Sequence, residues 1–422
     1  MPSYSISDMA HMPRRILIFS LVYYPRFIGG AEVAVKEITD RIPAATTRAA
    51  GGSDIPRYEF DMVCLRLDSS LPRVERIGNV TVHRVGWAGG RQSVSPDSLG
   101  WFLGLNKYAF LLTGFTKACS LHRAHPYDAT WSLMATYNSF AAVFFKLTHP
   151  RVPFLFTLQD GDPIEYIRRR ARPLWPFFTR MFTRADHIQA ISRYLADWAR
   201  DMGARCPIDI VPNGVDVQTF SRQTSLAEKD AAAEELGKRN GDIFLITTSR
   251  LVVKNAVGDI ISALPFMSQN VKLAILGQGY QEADLRALAS RLGVADRVRF
   301  MGYVAHADML PYLAASDVFV RPALSEGLGN SFLEAMAAGI PVVGTAVGGI
   351  PDFLTDGETG LVCDVGSPRS IAQKVEKLLR DRESRDYIVT NARRLVLDKY
   401  TWEKVAQDMG RIFSQLTNRV EK

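Results

Sequence analysis

Two glutamates lie eight residues apart in a segment whose composition suits a phosphorylated ligand. Glu326 stands in a glycine-containing loop, and Glu334 follows one turn into a predicted helix for which Asn330 or Ser331 is a suitable N-cap. Backbone N–H groups at the start of a helix attract phosphate, with help from the helix dipole. The offset allows the two carboxylates to flank a bound sugar nucleotide, one near the hexose and one near the ribose. The alternative is a solvated loop carboxylate and an acid near the start of a helix, where acidic residues are favoured.

The elements that must position this segment alternate between short apolar runs and helical stretches. Strand candidates of a first series are 16–20, 60–65, 80–85, 129–132, 154–158 and 187–191, and those of a second series are 243–249, 271–276, 298–300, 318–321, 341–344 and 360–363. This alternation predicts open α/β sheets. Because 422 residues exceed one ordinary core, we expect two domains. The turn-forming residues Pro212, Asn213 and Gly214 mark the hinge between them.

The first series opens with a strand, a loop that contains glycine, and a helix. The apolar run 16–20 precedes Gly29 and Gly30, and helical periodicity follows over 31–41. This order is typical of the start of a βαβ unit. We therefore expect the first domain to be Rossmann-like.

The segment around the two glutamates resembles the Glu-x7-Glu motif of family 4 glycosyltransferases, which are retaining enzymes with the GT-B fold. The resemblance extends from about residue 14 to the C-terminus and is most specific between Ile243 and Cys363. Further matching segments are 210–216, 248–255, 276–279 and 347–352. The resemblance implies an α/β protein of two Rossmann-like domains that face each other across a cleft.

The expected organisation has four parts. Residues 1–13 are expected to be a disordered tail, 14–213 an N-terminal acceptor domain, and 214–400 a C-terminal domain for the nucleotide-sugar donor. The resemblance implies that a C-terminal helix over 401–422 crosses back to the N-terminal domain. The donor is expected at the carboxyl ends of the strands of the C-terminal domain, as is general for open α/β sheets.

The resemblance implies a role for each matching residue. Glu326 is expected to contact hydroxyls of the donor sugar, and Glu334 the ribose hydroxyls. Arg250 and Lys254 are expected to neutralise the diphosphate as it leaves, although Arg250 taken alone also suits a structural place at a strand end. The other expected donor-binding residues bring backbone groups close to the sugar and diphosphate: Gly29, Gly30, Gly327, Leu328, Gly329, Asn330 and Ser331.

A polar loop after the strand 154–158 is expected to face the cleft. Gln159 stands where many family members have a histidine that touches the reacting sugar. A glutamine donates a hydrogen bond but cannot act as a base near neutral pH. Asp160 joins the candidate catalytic set, because it or Asp162 is placed to orient acceptor or donor hydroxyls. The alternative for both aspartates is a turn in which they satisfy their own backbone.

No metal and no cofactor are expected besides the nucleotide-diphosphate sugar that serves as donor substrate. The four cysteines are scattered, and none of the seven histidines forms a ligand-spaced pair. The donor domain has no Asp-x-Asp motif after a strand. Gly277 and Gly279 lack the third glycine of a dinucleotide fingerprint, so a tight turn after a strand is the favoured interpretation.

The charge balance suits an anionic ligand or surface. There are 51 basic and 44 acidic residues, which gives a net charge of +7, and the chain contains no recognised nucleic-acid-binding module. The stretch 168–184 interleaves six arginines with aromatic residues such as Trp175 and Phe178. It predicts a cytoplasmic protein that contacts the inner face of the membrane. The alternative is a helix with one core face and one solvated basic face.

These observations predict a retaining, metal-independent glycosyltransferase of the hexosyltransferase type, active in the biosynthesis of glycans such as cell-envelope polysaccharides. It would move a hexose-type sugar from a nucleotide-diphosphate sugar to a glycan or lipid-linked acceptor. A non-catalytic sugar-nucleotide-binding or scaffold protein is the alternative that Gln159 motivates. An NAD-dependent dehydrogenase is a further alternative, based only on the alternating β/α units.

Overall fold

The computed structural model describes residues 13–26, 29–42, 47–48, 54–55, 57–89 and 101–418. These residues form two compact units. One unit contains the described residues up to Asp160, Glu165–Asn213 and the segment from Trp402 onward, and the other contains Gly161–Ile164 and Gly214–Thr401. The tail expected over 1–13 lies outside the described residues except for its last position.

The first unit is built on a largely parallel sheet. Its strands are β1 (Arg14–Phe19), β2 (Thr47–Arg48), β3 (Asp54–Ile55), β4 (Tyr58–Leu65), β5 (Val74–Ile77), β6 (Val80–Val85), β7 (Ala129–Leu133), β8 (Phe154–Leu158), β9 (His187–Ala190) and β10 (Ile208–Ile210). Eight of them form one sheet in the order β10-β9-β8-β7-β1-β4-β6-β5, while β2 and β3 pair with each other. In this sheet only β5 pairs antiparallel among the described strands. The inner strands read as continuous apolar runs because they are covered on both faces.

The helices of the first unit lie between these strands. They are α1 (Gly30–Arg41), α2 (Trp101–Ala124), α3 (Tyr137–Thr148), α4 (Ile164–Ala171), α5 (Trp175–Thr183) and α6 (Arg193–Asp201). Among the helices in the described part of the chain, none combines the length and the apolar character that crossing a membrane requires.

The second unit is a six-stranded parallel sheet with helices between its strands. The strands are β11 (Ile243–Thr248), β12 (Val271–Leu276), β13 (Val298–Gly302), β14 (Val318–Arg321), β15 (Val342–Thr345) and β16 (Leu361–Cys363), in the order β13-β12-β11-β14-β15-β16. The helices are α7 (Val217–Phe220), α8 (Leu226–Leu236), α9 (Val257–Ala263), α10 (Glu282–Arg291), α11 (Met309–Ala314), α12 (Asn330–Ala337), α13 (Pro368–Arg380) and α14 (Arg382–Lys399). The prediction of two open α/β sheets is confirmed.

Two strands that the sequence pattern did not predict lie at the edges of the first sheet. β5 pairs only with β6, and β10 pairs only with β9. Both are short, and their side chains are exposed or half-buried. An edge strand of this kind carries no continuous apolar run, so hydrophobic patterning does not reveal it.

The last helix, α15 (Trp402–Thr417), packs into the core of the first unit. Its buried apolar side chains recur at helical spacing and are Trp402, Val405, Ala406, Met409, Ile412, Phe413 and Leu416. The ring of Phe413 lies 5.9 Å from the rings of Tyr58 and Phe60 and 5.3 Å from that of Trp131, measured between centroids. This helix therefore completes the apolar cover of β1, β4 and β7.

Replacing Phe413 with alanine is expected to destabilise the first unit by about 3–5 kcal/mol, the usual loss for a buried aromatic side chain. The measurement is the free energy of unfolding in urea, followed by tryptophan fluorescence. Gln415→Ala is the matched control, because Gln415 is exposed on the same helix, and it should stay within about 0.5 kcal/mol. Equal stability of the two variants would contradict the packing of α15.

Candidate active site

The charged candidates of the second unit converge where its strand order reverses. β11 and β14 are adjacent and parallel, and the strands that follow each of them lie on opposite sides. Open α/β sheets bind ligands beyond the carboxyl ends of such a pair. Arg250 and Lys254 follow β11, and Glu326 and Glu334 follow β14. The topology therefore brings both predicted sets to the same edge of the sheet.

The carboxylate of Glu326 is held on both oxygens. Arg321, the last residue of β14, has its Nη2 atom 2.5 Å from Glu326 Oε2. The backbone N–H of Gly327 donates to Glu326 Oε1 over 3.2 Å. Because only 14% of the Glu326 side chain is exposed, this residue is an enclosed and paired carboxylate rather than a solvated one.

The loop that carries Glu326 packs backbone against backbone with the loop after β15. The N–H of Gly349 donates to the Glu326 carbonyl over 3.1 Å. Gly348 has a φ of +55°, and a Cβ atom there would lie 1.9 Å from the same carbonyl oxygen. Only glycine permits this approach together with a left-handed backbone, so Gly348 fixes where Glu326 can lie.

The helix that carries Glu334 begins with a left-handed turn. α12 starts at Asn330, and its N-cap is Gly329 with a φ of +103° and no capping side chain. The prediction that Asn330 or Ser331 caps this helix is wrong, because the loop enters it through a conformation that favours glycine. The Ser331 hydroxyl instead accepts a hydrogen bond from Arg321 Nη1 at 2.5 Å.

Glu334 contacts a histidine that was not among the residues predicted for the site. His306, which follows β13, has its Nε2 atom 2.9 Å from Glu334 Oε1. The imidazole lies edge-on to the Phe220 ring at a centroid distance of 4.9 Å. The Glu334 side chain is 14% exposed, whereas that of His306 is 55% exposed. His306 is therefore a member of the candidate site, and the spacing of the histidines along the sequence could not identify it.

Lys254 binds a segment that precedes α4 in the chain. Its ammonium donates to the Gly161 carbonyl at 2.7 Å and to Asp162 Oδ1 at 2.9 Å. A Cβ atom on Gly161 would lie 3.2 Å from Lys254 Nζ and 3.5 Å from Glu326 Oε1. The Ser325 hydroxyl also reaches the Gly161 carbonyl, at 3.3 Å. Gly161 and Asp162 thus belong to the site, and Lys254 lies close to Glu326 through them.

Arg250 reaches this network through its backbone. Its carbonyl accepts a hydrogen bond from Asn255 Nδ2 at 2.7 Å, and Asn255 Oδ1 lies 3.3 Å from Arg321 Nη2. Within the described residues no carboxylate pairs with the exposed Arg250 guanidinium. Gly277 approaches the same loop so closely that a Cβ atom would lie 1.9 Å from the Ser249 carbonyl oxygen. The glycine therefore serves a tight backbone contact beside Arg250.

The remaining candidates lie in the first unit. Both carboxylate oxygens of Asp160 accept the Ala135 N–H, at 3.1 and 3.2 Å, and the side chain is buried. Gly29 and Gly30 lie at the start of α1, where the Gly29 N–H donates to Glu32 Oε2 at 2.8 Å. Burial raises the pKa of Glu32, while its backbone hydrogen bonds lower it. The catalytic role of Asp160 and the phosphate-binding role of the two glycines stay predictions.

No group of three or more His, Cys, Asp or Glu side chains in the described part of the chain is arranged to hold a metal ion. The charges of the site are instead those of side chains within the second unit. One loop and the helix after it supply Glu326, Gly327, Leu328, Gly329, Asn330, Ser331 and Glu334. Arg321 and His306 were not predicted as site residues, and Asp162 was predicted only as an alternative to Asp160 for orienting hydroxyls.

Two family models match the chain, each over about two-fifths of its length. The model described as "Glycosyl transferase 4-like domain" matches residues 44–214, and "Glycosyl transferases group 1" matches 228–395. A GDP-mannose-dependent phosphatidylinositol monomannoside mannosyltransferase of Mycobacterium tuberculosis is 33% identical over 53% of this chain and 60% of its own length. A lipopolysaccharide core biosynthesis glycosyltransferase of Rhizobium meliloti is 34% identical over 55% of this chain and 65% of its own. The chain therefore spans less than two thirds of these relatives.

Solved structures resemble the chain over nearly its whole length. Sucrose-phosphate synthase from Thermosynechococcus elongatus has a TM-score of 0.78 and 20% identity, with 96% of this chain and 100% of that chain covered. The Anabaena protein HepE, in complex with UDP and glucose, has a TM-score of 0.72 and 20% identity, with 95% and 100% covered. At this identity the likeness shows the fold alone.

The Gly348 contact predicts a large difference between two glycines of similar backbone conformation. Gly348→Ala and Gly357→Ala each place alanine at positive φ, which costs about 1–2 kcal/mol. Only at Gly348 does the new methyl group meet a backbone oxygen, and nothing lies within 4 Å of a Cβ at Gly357. Gly348→Ala should therefore lose a further amount, about 1–3 kcal/mol, as in overpacking. Urea unfolding of both variants measures the difference, and equal losses would show that the two loops are not in contact.

Proposed function

We propose that this chain transfers a hexose-type sugar from a nucleotide-diphosphate sugar to a glycan or lipid-linked acceptor. The chain belongs to the family 4 glycosyltransferases and has the GT-B fold of two Rossmann-like domains. The observation that carries the proposal is the convergence of Glu326, Glu334, Arg250 and Lys254 beyond the carboxyl ends of β11 and β14. Acidic and basic side chains around one helix start suit a ligand with both hydroxyls and phosphates.

The proposed roles follow from the chemistry of each group. Glycosyl transfer breaks the bond between the anomeric carbon and a diphosphate oxygen, so negative charge grows on the leaving oxygen. Arg250 and Lys254 neutralise that charge, and N–H groups at the start of α12 add partial positive charge. An ionised carboxylate only accepts hydrogen bonds. Glu326 therefore suits sugar hydroxyls, and Glu334 suits the ribose hydroxyls.

Donor binding requires Lys254 to exchange partners. Its ammonium is engaged by the Gly161 carbonyl and by Asp162, so a diphosphate that binds Lys254 replaces at least the Asp162 carboxylate. An exposed pair of this kind contributes only about 0.2–1 kcal/mol. Because the ion pair between Lys254 and Asp162 contributes so little, a ligand with two phosphates can displace it.

Retention of the anomeric configuration, independence from metals and the hexose itself are parts of the proposal that rest on the resemblance of the Glu-x7-Glu segment. Gln159 in place of the usual histidine favours a different hydrogen-bond donor to the reacting sugar rather than loss of catalysis, because the charged set beyond β11 and β14 is complete. The names of two neighbours, which mention phosphatidylinositol monomannoside and UDP with glucose, support a lipid-linked acceptor and a nucleotide sugar.

We also propose peripheral contact with an anionic membrane through α4 and α5. The two helices and the turn between them carry five of the six arginines of 168–184. Phe178, Met181 and Phe182 are buried in the first unit, so the expectation that Phe178 anchors the protein in a bilayer is wrong. The contact therefore rests on the arginines, with Tyr166 and the partly exposed Trp175 beside them.

Glu326→Gln is expected to lower kcat by roughly a hundredfold or more with a small change in donor affinity, because Glu326 acts at the reacting sugar. Glu334→Gln is expected to raise the donor Kd by roughly tenfold through weaker ribose contacts. A thermal-shift screen of nucleotide sugars identifies the donor, and steady-state kinetics with calorimetry then separate the two effects. Full activity of both variants on that donor would refute the site assignment.

Transfer is expected to continue in excess EDTA. Arg250 and Lys254 provide the positive charge that a divalent ion supplies in other transferases. The measurement compares initial rates with and without EDTA, and again after addition of manganese or magnesium. Loss of activity that either metal restores would rule out the proposed charge compensation.

Anionic vesicles are expected to bind the protein at low salt and release it near 0.5 M salt, where the screening length is about 4 Å. Each arginine near an anionic leaflet contributes about 1 kcal/mol. The Arg168→Ser, Arg169→Ser and Arg170→Ser triple variant should lose binding in a co-sedimentation assay. Serines at Arg380, Arg382 and Arg385 in the second unit remove the same charge and serve as the control. If both triple variants behave alike, the assigned surface is wrong.

A further inference from the structure

Arg321 contributes a guanidinium to the interior of the candidate site. It ends β14, directly beneath the loop that carries Glu326. Nη2 lies 2.5 Å from Glu326 Oε2 and 3.3 Å from Asn255 Oδ1, and Nη1 lies 2.5 Å from Ser331 Oγ. Only 12% of the Arg321 side chain is exposed. One side chain thus binds the sugar-side glutamate, the first turn of α12 and the loop that follows Arg250.

The stability of the fold does not explain this pair. Removing two charges from water costs several kcal/mol per ion, and apolar residues often replace a buried ion pair without loss of stability. The Arg321 pair is also imperfectly satisfied, since its buried Nε has no hydrogen-bond partner among the described residues. The Arg321 guanidinium lies beside a candidate catalytic carboxylate even though its burial costs stability. This placement indicates a role at that carboxylate.

We propose that Arg321 is a positioning residue for Glu326, an inference that rests on the proposed transferase function. Its guanidinium fixes the Oε2 edge of Glu326 and so sets the orientation in which the carboxylate accepts hydrogen bonds from donor-sugar hydroxyls. Its second bond, to Ser331, ties this orientation to the start of α12.

A second buried arginine of the same unit shows what a purely structural guanidinium looks like. Arg297 is 3% exposed. Its Nε and Nη2 atoms donate to the backbone carbonyls of Val271 and Ser268, both at 2.9 Å. No candidate site residue takes part in these bonds. Arg297 therefore shares with Arg321 its domain and its low exposure but not its partners, and it provides the control.

The kinetic test compares Arg321→Lys, Arg321→Gln and Arg297→Lys on the donor found in the thermal-shift screen. We expect Arg321→Gln to lower kcat by roughly a hundredfold, as loss of a preorganised charge does. Arg321→Lys should recover part of the loss, because it restores the charge but not the planar fork. The Kd of the matching nucleoside diphosphate should change less than twofold, since that ligand contains the ribose but lacks the donor hexose that Glu326 binds. Arg297→Lys should lower Tm and leave kcat unchanged.

A second test measures thermal stability and needs no substrate. Arg321→Met leaves Glu326 enclosed and unpaired, so Tm should fall, and the added Glu326→Leu substitution should recover most of that loss. Failure of this recovery would overturn the inference whatever the donor screen gives. Normal kcat in Arg321→Gln, or equal loss of kcat in Arg297→Lys, would overturn it as well. If the wild-type protein transfers no sugar while the Tm recovery is seen, the proposed function fails and the Arg321–Glu326 pair stands.

Discussion

The arrangement of the second unit beyond the carboxyl ends of β11 and β14 depends on the pairing of charged side chains with partners. The carboxylate of Glu326 faces Arg321, the ammonium of Lys254 faces Asp162, and Glu334 accepts from His306. Asp162 and His306 come from segments remote in the chain, whereas Arg321 lies five residues before Glu326. Side chains of one sign alone would repel each other in a partly buried setting. Lys254, Glu326 and Glu334 are therefore each paired, whereas Arg250 has no carboxylate partner within the described residues.

The backbone imposes the second requirement. Gly348 and Gly277 allow neighbouring loops to approach more closely than a residue with a Cβ atom would permit. Gly348 lies against Glu326, and Gly277 lies against Ser249. These contacts hold the charged loops at the edge of the sheet without long side chains between them. The site thus combines fixed main chain with exchangeable ion pairs, and the two properties reside in different residues.

The sequence predicted the strands that are buried on both faces and the loop–helix segment between Glu326 and Glu334. Both are local features, since a continuous apolar run and a glycine loop before a helix are visible in neighbouring residues. The edge strands β5 and β10 were missed because they are half exposed. The N-cap was assigned to the wrong residue because the φ of +103° at Gly329 depends on the path of the whole loop.

The partners of the charged residues were beyond the reach of sequence spacing. Asp162 rather than Asp160 meets Lys254, and nothing in the Gln-Asp-Gly-Asp sequence distinguishes the two aspartates before folding. His306 comes near Glu334 through the order of strands in the sheet, whereas the contact between Arg321 and Glu326, five residues apart, depends on the path of the loop after β14. Family resemblance identifies which residues belong to a motif, but ion-pair partners depend on three-dimensional proximity.

The position of α15 has a consequence for the order in which the protein matures during synthesis. The second unit draws almost all its residues from one continuous stretch, Gly214–Thr401, whereas the core of the first unit needs Phe413 and its neighbours. Synthesis therefore adds every residue of the second unit before Phe413, so that Tyr58, Phe60 and Trp131 are made long before the side chain that covers them. Until the final turns of α15 emerge, the nascent first unit presents an apolar surface of the kind that chaperones recognise. The first half of the sequence thus belongs to the first unit, whose core is the last to be completed.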